Sequence, residues 1–216
     1  MSKILSPNQL RRMPRYLHAL KEMKGDNLLY VNCQTLASRL GLNKEQVRKD
    51  IATISSLDGI PNKGRDINIL IKDIENILGL KNINNAILVG AGSLGKALLG
   101  YKGFLNYGLN IVAAFDNDPK VIGQVINGIK VYDIKDIKKI KDDLNALIGI
   151  ITTPLKEAEQ VAKILEDIGI EAIWNFAPTI IDVNKDIIVA NIDMASNLAT
   201  LSHKLYLKHK KDNKGE

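Results

Sequence analysis

At 216 residues, 45% hydrophobic and 25% charged, the chain has the composition of a soluble globular protein of one large domain or two small ones. No run of eighteen apolar residues marks a transmembrane helix, Met1-Ser2-Lys3-Ile4-Leu5-Ser6-Pro7 lacks the apolar stretch of a signal peptide, and a single cysteine, Cys33, leaves no intrachain disulfide, so a cytoplasmic protein is expected. The net charge of +6 is uneven: residues 1–80 hold thirteen Lys/Arg against eight Asp/Glu, a net +5, and the remaining 136 residues carry only +1. A basic unit joined to a nearly neutral one points to a polyanionic partner for the first, the alternative being a solvated basic surface.

Taken in chain order, Arg11, Arg12 and Arg15 precede a first helix containing Tyr16, Leu17, Leu20 and Met23. Gln34–Leu40 and Lys44–Ile54 then read as two helices joined by Gly41-Leu42-Asn43, the spacing of a helix-turn-helix. Ala37 is small where the helices would cross, and Val47 and Ile51 would face inward. Asn43 is placed to cap the second helix, with Gln46 three residues on. That leaves Gln46, Arg48 and Lys49 to face outward, where Gln suits adenine, Arg suits guanine, and Arg and Lys suit phosphate. Pro61-Asn62-Lys63-Gly64-Arg65 followed by Asp66–Ile71 reads as a hairpin with a basic tip, a wing whose Lys63 and Arg65 would touch the DNA backbone or minor groove. Arg11 and Arg12 join these as candidate DNA contacts. The competing reading is a small helical domain that binds protein.

The periodicity changes near residue 80, at a polar seam around Gly79–Asn85. Short apolar runs follow at Ala86–Val89, Ile111–Phe115, Ala146–Thr152, Ala172–Trp174 and Ile187–Ala190, with a helix predicted over Lys156–Ile168 between two of them. This alternation argues for a parallel sheet covered by helices. Gly90-Ala91-Gly92-Ser93-Leu94-Gly95 is a GxGxxG between a strand and a helix, the context in which that pattern binds a dinucleotide pyrophosphate. Asp116 ends the next strand, 21 residues after Gly95. It is placed to accept the ribose hydroxyls and to repel a 2′-phosphate. Thr153-Pro154 and Phe176 follow later strands at the same carboxyl edge, and Phe176 is a candidate for the nicotinamide or, equally, a core aromatic. Coenzyme A is the competing ligand. A hydride-transfer enzyme needs an acid or base near the nicotinamide, and the histidines, His18, His203 and His209, lie in the basic unit and the tail. No metal-ligand spacing is present. Ile192 to about Lys211 reads as a terminal helix striped by Leu198, Leu201, Leu205 and Leu207, with a basic tail.

On these residues the chain resembles the Rex family of redox-sensing transcriptional repressors. The resemblance is carried by Arg12-Met13-Pro14, Gln46-Val47-Arg48-Lys49-Asp50, the GxGxxG with Tyr101-Lys102-Gly103-Phe104, and Phe115-Asp116-Asn117-Asp118-Pro119. It continues through Thr153-Pro154, Trp174-Asn175-Phe176-Ala177-Pro178 and Asp193-Met194-Ala195. It implies an α/β chain with a winged-helix domain over residues 1–80, a Rossmann domain over 81–191 and a domain-swapped dimerisation helix with basic tail over 192–216. It further implies a homodimer on palindromic operator DNA, with NAD⁺ permitting DNA binding and NADH releasing it. By motif position Arg12, Tyr101 and Asp193 would form the redox-sensitive network. Two departures stand out: Lys63-Gly64-Arg65 runs straight into Asp66 where the family's wing carries a GVGY-like stretch, and Asn197 stands where the family often has Glu. The alternative functions are an NAD-dependent oxidoreductase with a basic appendage and a metabolite-binding scaffold that binds protein.

Overall fold

The computed structural model describes residues 5–192 and 194–212, and the chain divides into two units, Met1–Asn82 and Ile83–Glu216. The first begins with helix α1 (Pro7–Gly25), which starts earlier than the stripe from Tyr16 predicts and so includes Arg11, Arg12 and Arg15. The reason is a capping box at Ser6: its hydroxyl accepts the Gln9 N–H at 3.3 Å while the Gln9 side chain accepts the Ser6 N–H at 3.0 Å. Pro14 inside α1 removes a backbone hydrogen bond, at about 3 kcal/mol. Burial of Met13, Tyr16, Leu17, Leu20 and Met23 offsets it.

A two-residue strand β1 (Tyr30–Val31) leads into α2 (Cys33–Leu40), capped by Asn32, and α3 (Lys44–Ile54), capped by Asn43, whose side chain accepts the N–H groups of Glu45 and Gln46. Gly41 makes the turn between them at φ +62°. Ala37, Val47 and Ile51 are buried in one core with the α1 stripe.

The predicted wing is corrected in one arm. Only Arg65–Asp66 forms a strand, β2, and it pairs antiparallel with β1, while Ile60 and Gly64 close the tip by a single bridge. The expected return arm after Asp66 is instead α4 (Ile67–Ile77). The Asp66 carboxylate caps that helix by accepting from Asn68 and Ile69, and Ile67, Leu70, Ile71 and Ile74 recur at helical spacing and are buried.

The second unit alternates strands and helices. Its elements are β3 (Asn84–Val89), α5 (Ser93–Leu99), β4 (Leu109–Asp116), β5 (Val125–Ile126), β6 (Ile129–Asp133), α6 (Ile137–Asp143), β7 (Ala146–Ile151), α7 (Leu155–Asp167), β8 (Ala172–Asn175), β9 (Ile188–Asn191) and α8 (Met194–Asp212). The sheet order is β5-β6-β4-β3-β7-β8-β9, and every pairing is parallel except β5 with β6. Without β5 this is the doubly wound 3-2-1-4-5-6 order of a Rossmann sheet, whose ligand crevice lies where the order reverses, here between β3 and β7. Alternate residues of β3 enter opposite cores: Ile87 and Val89 pack with α7 residues such as Ala158 and Leu165, Ala86 and Leu88 with Leu99 of α5. That two-sided burial is why β3 reads as an unbroken apolar run.

Candidate functional site

The crevice between β3 and β7 is built by backbone close approach. Gly90 follows β3 at φ +102°, and a Cβ there would lie 2.9 Å from the Thr152 carbonyl carbon and the Thr153 nitrogen. A Cβ on Gly95 would overlap the carbonyl oxygen of Gly90, so α5 can seat against the turn only with glycine at that position. Thr152 ties the two strand ends together: its single hydroxyl proton is shared between the carbonyls of Gly90 at 2.7 Å and Val89 at 3.0 Å. Gly92 caps α5 without a side-chain bond, which leaves the first helical N–H groups available to an anion.

Asp116, half-buried, anchors the other side of the turn. One carboxylate oxygen accepts the Ala91 N–H at 2.7 Å, and the other accepts those of Asn117 at 2.8 Å and Asp118 at 2.9 Å. Its negative charge therefore stands beside the glycine turn, with lone pairs to spare for hydroxyl donors.

These groups line a cleft of about 980 Å³ together with Ser93, Leu94, Thr153, Pro154 and Phe176. Gly95 stands behind the lining as the packing glycine. The face of α7 carrying Glu157, Gln160, Val161 and Ile164 also lines the cleft. Of these the apolar stripe of α7 shows only Val161, because it picks out the core positions Ala158, Val161, Ala162 and Leu165 and passes over Glu157, Gln160 and Ile164. Among the described residues the Thr153 hydroxyl is a buried polar atom with no hydrogen-bond partner, and a polar ligand group at this edge would satisfy it. The glycine cradle, the uncapped helix start, Asp116 and the unpaired Thr153 oxygen fit a dinucleotide. From Phe176 an aromatic ladder runs away from the cleft: Trp174 at 4.6 Å, then Phe104 at 5.4 Å, then Tyr101 at 4.8 Å between successive ring centroids. Tyr101 itself is 56% exposed.

In the first unit, Arg48 and Lys49 on α3 are exposed and Gln46 is half-exposed; Arg11 on α1 is exposed as well. Arg48 Nε donates to the Glu45 carboxylate at 2.8 Å, which draws the Glu45 carboxyl below its usual range. Lys63 at the wing tip is exposed, with its ammonium 5.9 Å from the Tyr30 ring centre.

Besides Arg48, two more of the expected DNA contacts are engaged within the unit. Arg12 forks the Asp50 carboxylate, with Nε at 2.7 Å and Nη2 at 2.9 Å, and the Tyr16 hydroxyl donates to the same group at 2.7 Å. Arg65 is half-buried and donates to the Ser55 hydroxyl at 2.8 Å and to the Leu57 carbonyl. Asp50 is 2% exposed. Burial pushes its carboxyl up, but Arg12 and Tyr16 outweigh this and hold it below the ordinary value. The same bond raises Arg12, while desolvation and the facing carboxylate raise the Tyr16 phenol. Of the three candidate redox residues, Asp193 lies outside the described residues, and Arg12 and Tyr101 belong to different units.

Comparison with known proteins gives two family matches, a putative DNA-binding protein N-terminus over residues 5–52 and a CoA binding domain over residues 81–179. The redox-sensing transcriptional repressor Rex of Treponema denticola is 39% identical over 199 residues, covering 92% of this chain and 94% of that protein. The chain belongs to the Rex family. The Rex proteins of Bacteroides thetaiotaomicron (35% identical, 94% of this chain, 92% of theirs) and Clostridium botulinum (36%, 93% and 95%) are similar along the same length. Among solved structures, the Rex-family repressor RSP in complex with β-NAD⁺ and operator DNA superposes with a TM-score of 0.88 at 31% identity, covering 99% of this chain and 98% of that one. RSP in complex with β-NADH gives 0.84 at 30%, covering 97% and 98%. These whole-chain matches give the Rex fold: a helical DNA-binding unit followed by a Rossmann-like sheet.

Proposed function

We propose that this Rex-family chain is a cytoplasmic homodimeric repressor that holds a palindromic operator in the presence of NAD⁺, releases it on binding NADH, and catalyses no reaction. The observation that carries the reading is the union in one chain of a helix-turn-helix with exposed Arg48 and Lys49 on its second helix, α3, and a glycine-turn cleft flanked by the Asp116 carboxylate, a charge that would oppose a 2′-phosphate. No helix among the described residues is long and apolar enough to cross a membrane. The division at residues 1–80, 81–191 and 192–216 belongs to the same reading.

In it, the turn of residues 90–94 receives the pyrophosphate, chiefly on the helix-start N–H groups from Gly92 on, with Gly95 packing behind it; Asp116 takes the adenosine ribose, and Thr153, Pro154 and Phe176 the nicotinamide end. Gln46, Arg48, Lys49, Arg11 and Lys63 meet DNA, while Arg12 and Arg65 support the elements that do. Tyr101 and Asp193 respond to the ring's charge, cationic when oxidised and neutral when reduced. A ligand shifts DNA binding only if the two DNA-binding states differ in affinity for it.

The test is titration of a family-type palindrome at two salt concentrations with NADH, NAD⁺ or coenzyme A. Release by NADH alone is the expected result, with an operator affinity that falls as salt rises. Release by coenzyme A instead, the reading that the CoA binding domain match favours, would replace the cofactor assignment. Turnover of a nicotinamide substrate would restore the dehydrogenase reading.

A further inference from the structure

Phe176, at the cleft, follows a residue that faces away from it. Asn175 is the last residue of β8, is fully buried at 0% exposure, and is absent from the cleft lining. Its side-chain amide is saturated in three directions. The Oδ1 atom accepts the Ala177 N–H at 2.9 Å, and Nδ2 donates to the Thr179 carbonyl at 2.7 Å and to Oδ1 of Asn191 at 2.8 Å. The backbone repeats the link, because the Ile192 N–H donates to the Asn175 carbonyl at 2.8 Å. Asn175 and Asn191 are also the final register pair of β8 and β9, and Met194 opens α8 three residues beyond Asn191.

One amide therefore clasps two segments. On one side is the turn Ala177–Thr179, which begins at the cleft residue Phe176 and is closed by the Thr179 N–H on the Ala177 carbonyl at 2.7 Å. On the other side is the chain entering the terminal helix. Asn175 is fully buried, so a shift of the turn that stretched these bonds would leave its polar atoms unpaired, which is costly. The lower-cost response is for the turn and the root of α8 to move together. We infer that Asn175 and Asn191 are positioning residues that carry a displacement of the Phe176 turn to the start of the terminal helix. This rests on the proposed NADH response and names the path by which the cleft would impose it.

Asn191 is exposed, so it can be replaced with little risk to folding, and it supplies only an acceptor to Asn175. The experiment measures full-length wild type, Asn191→Ala and Asn191→Asp. Each is titrated with NADH and NAD⁺, and each is titrated with operator under saturation by either form. Asn191→Ala should bind both dinucleotides within about twofold of wild type, yet its ratio of operator affinities between NAD⁺ and NADH should shrink by about 2- to 30-fold, the range for a residue that modulates coupling. Asn191→Asp keeps an oxygen acceptor and should restore the wild-type ratio. A loss of ratio that only tracks a loss of dinucleotide affinity would show a role in shaping the cleft and overturn the inference. So would a wild-type ratio in Asn191→Ala, or an Asn191→Asp protein that behaves like Asn191→Ala. In those cases wild type still responds to NADH and the proposed function stands. A wild type indifferent to NADH overturns both.

Discussion

Arg12 and Asp50 are 38 positions apart, and their pairing changes what Arg12 can do. A guanidinium that forks a buried carboxylate through Nε and Nη2 fixes α3 on α1 and leaves Nη1, outside the fork, for a phosphate. The folded state holds the Asp50 carboxyl below its ordinary value of about 3.9. The pair's contribution is therefore fully present above that ordinary value and is lost as pH falls through the depressed one. Urea midpoints should be level between pH 7 and 5 and should drop below about pH 4. Asp50→Ala should lower stability at pH 7 by roughly 1–3 kcal/mol, because it leaves the buried Tyr16 hydroxyl without its acceptor and Arg12 without its partner; no measurable loss would remove the pair from the account of the fold. Asp116 also acts on more than its expected partner, since three backbone N–H groups share its carboxylate. Asp116→Ala should weaken NADH by about 10- to 100-fold, the worth of charge-assisted hydrogen bonds. It should weaken NADPH less, because the repulsion of the 2′-phosphate goes with the charge. Paired titrations with NADH and NADPH check this, and an unchanged preference would place the discrimination elsewhere.

Among the elements, α3 carries its surface chemistry with an internal brake, the Glu45 carboxylate held on Arg48. DNA phosphate must take Arg48 from Glu45, so Glu45→Gln should tighten binding to any sequence. Arg48→Ala with Lys49→Ala should loosen it and flatten the salt dependence by about one unit for each phosphate no longer neutralised. Salt-dependent titrations on operator and random DNA separate the two effects, and wild-type affinity in the double variant would sink the helix assignment. At α5, Gly95→Ala should abolish dinucleotide binding while the DNA unit keeps its fold, because the added methyl meets the Gly90 carbonyl. Both elements are legible in the sequence for local reasons: α3 from the Asn43 cap and the Val47/Ile51 spacing, α5 from glycines between a strand and a helix. The hairpin β5–β6 escapes a reading by periodicity although Asn127-Gly128 signals it, with φ of +51° and +86°, since its strands are too short to show a period. Asp66 reads as part of a strand because its capping role depends on the helix that follows. The pairings of Arg12 with Asp50, Arg65 with Ser55 and Asn175 with Asn191 are not legible at all: they span 38, 10 and 16 positions, and only the tertiary fold selects them.

For the whole molecule, the terminal helix sets the requirement. Leu198, Leu201 and Leu205 of α8 are 64%, 63% and 53% exposed, and on the same unit Ile83 and Leu105 are 62% and 53% exposed. Apolar side chains in a stripe of that kind mark an interaction surface. Under the proposed dimer a second copy covers it, and the consequence for DNA is geometric. Two recognition helices enter successive major grooves only when held about 34–36 Å apart, so each subunit supplies half a site and the dimer supplies the spacing. Binding of the second half-site is then intramolecular, and tethering of this kind adds about 10²- to 10⁴-fold to affinity. A variant with Leu198→Glu and Leu201→Glu places two charges on the stripe and touches neither α3 nor the cleft lining. It should sediment as a monomer, keep its NADH affinity, and lose operator affinity by about the tethering factor. It should bind a single half-site as wild type binds one. If it remains a dimer, α8 does not hold the copies together; if it is a monomer that still grips the full palindrome, the spacing argument fails and one copy reads the operator alone.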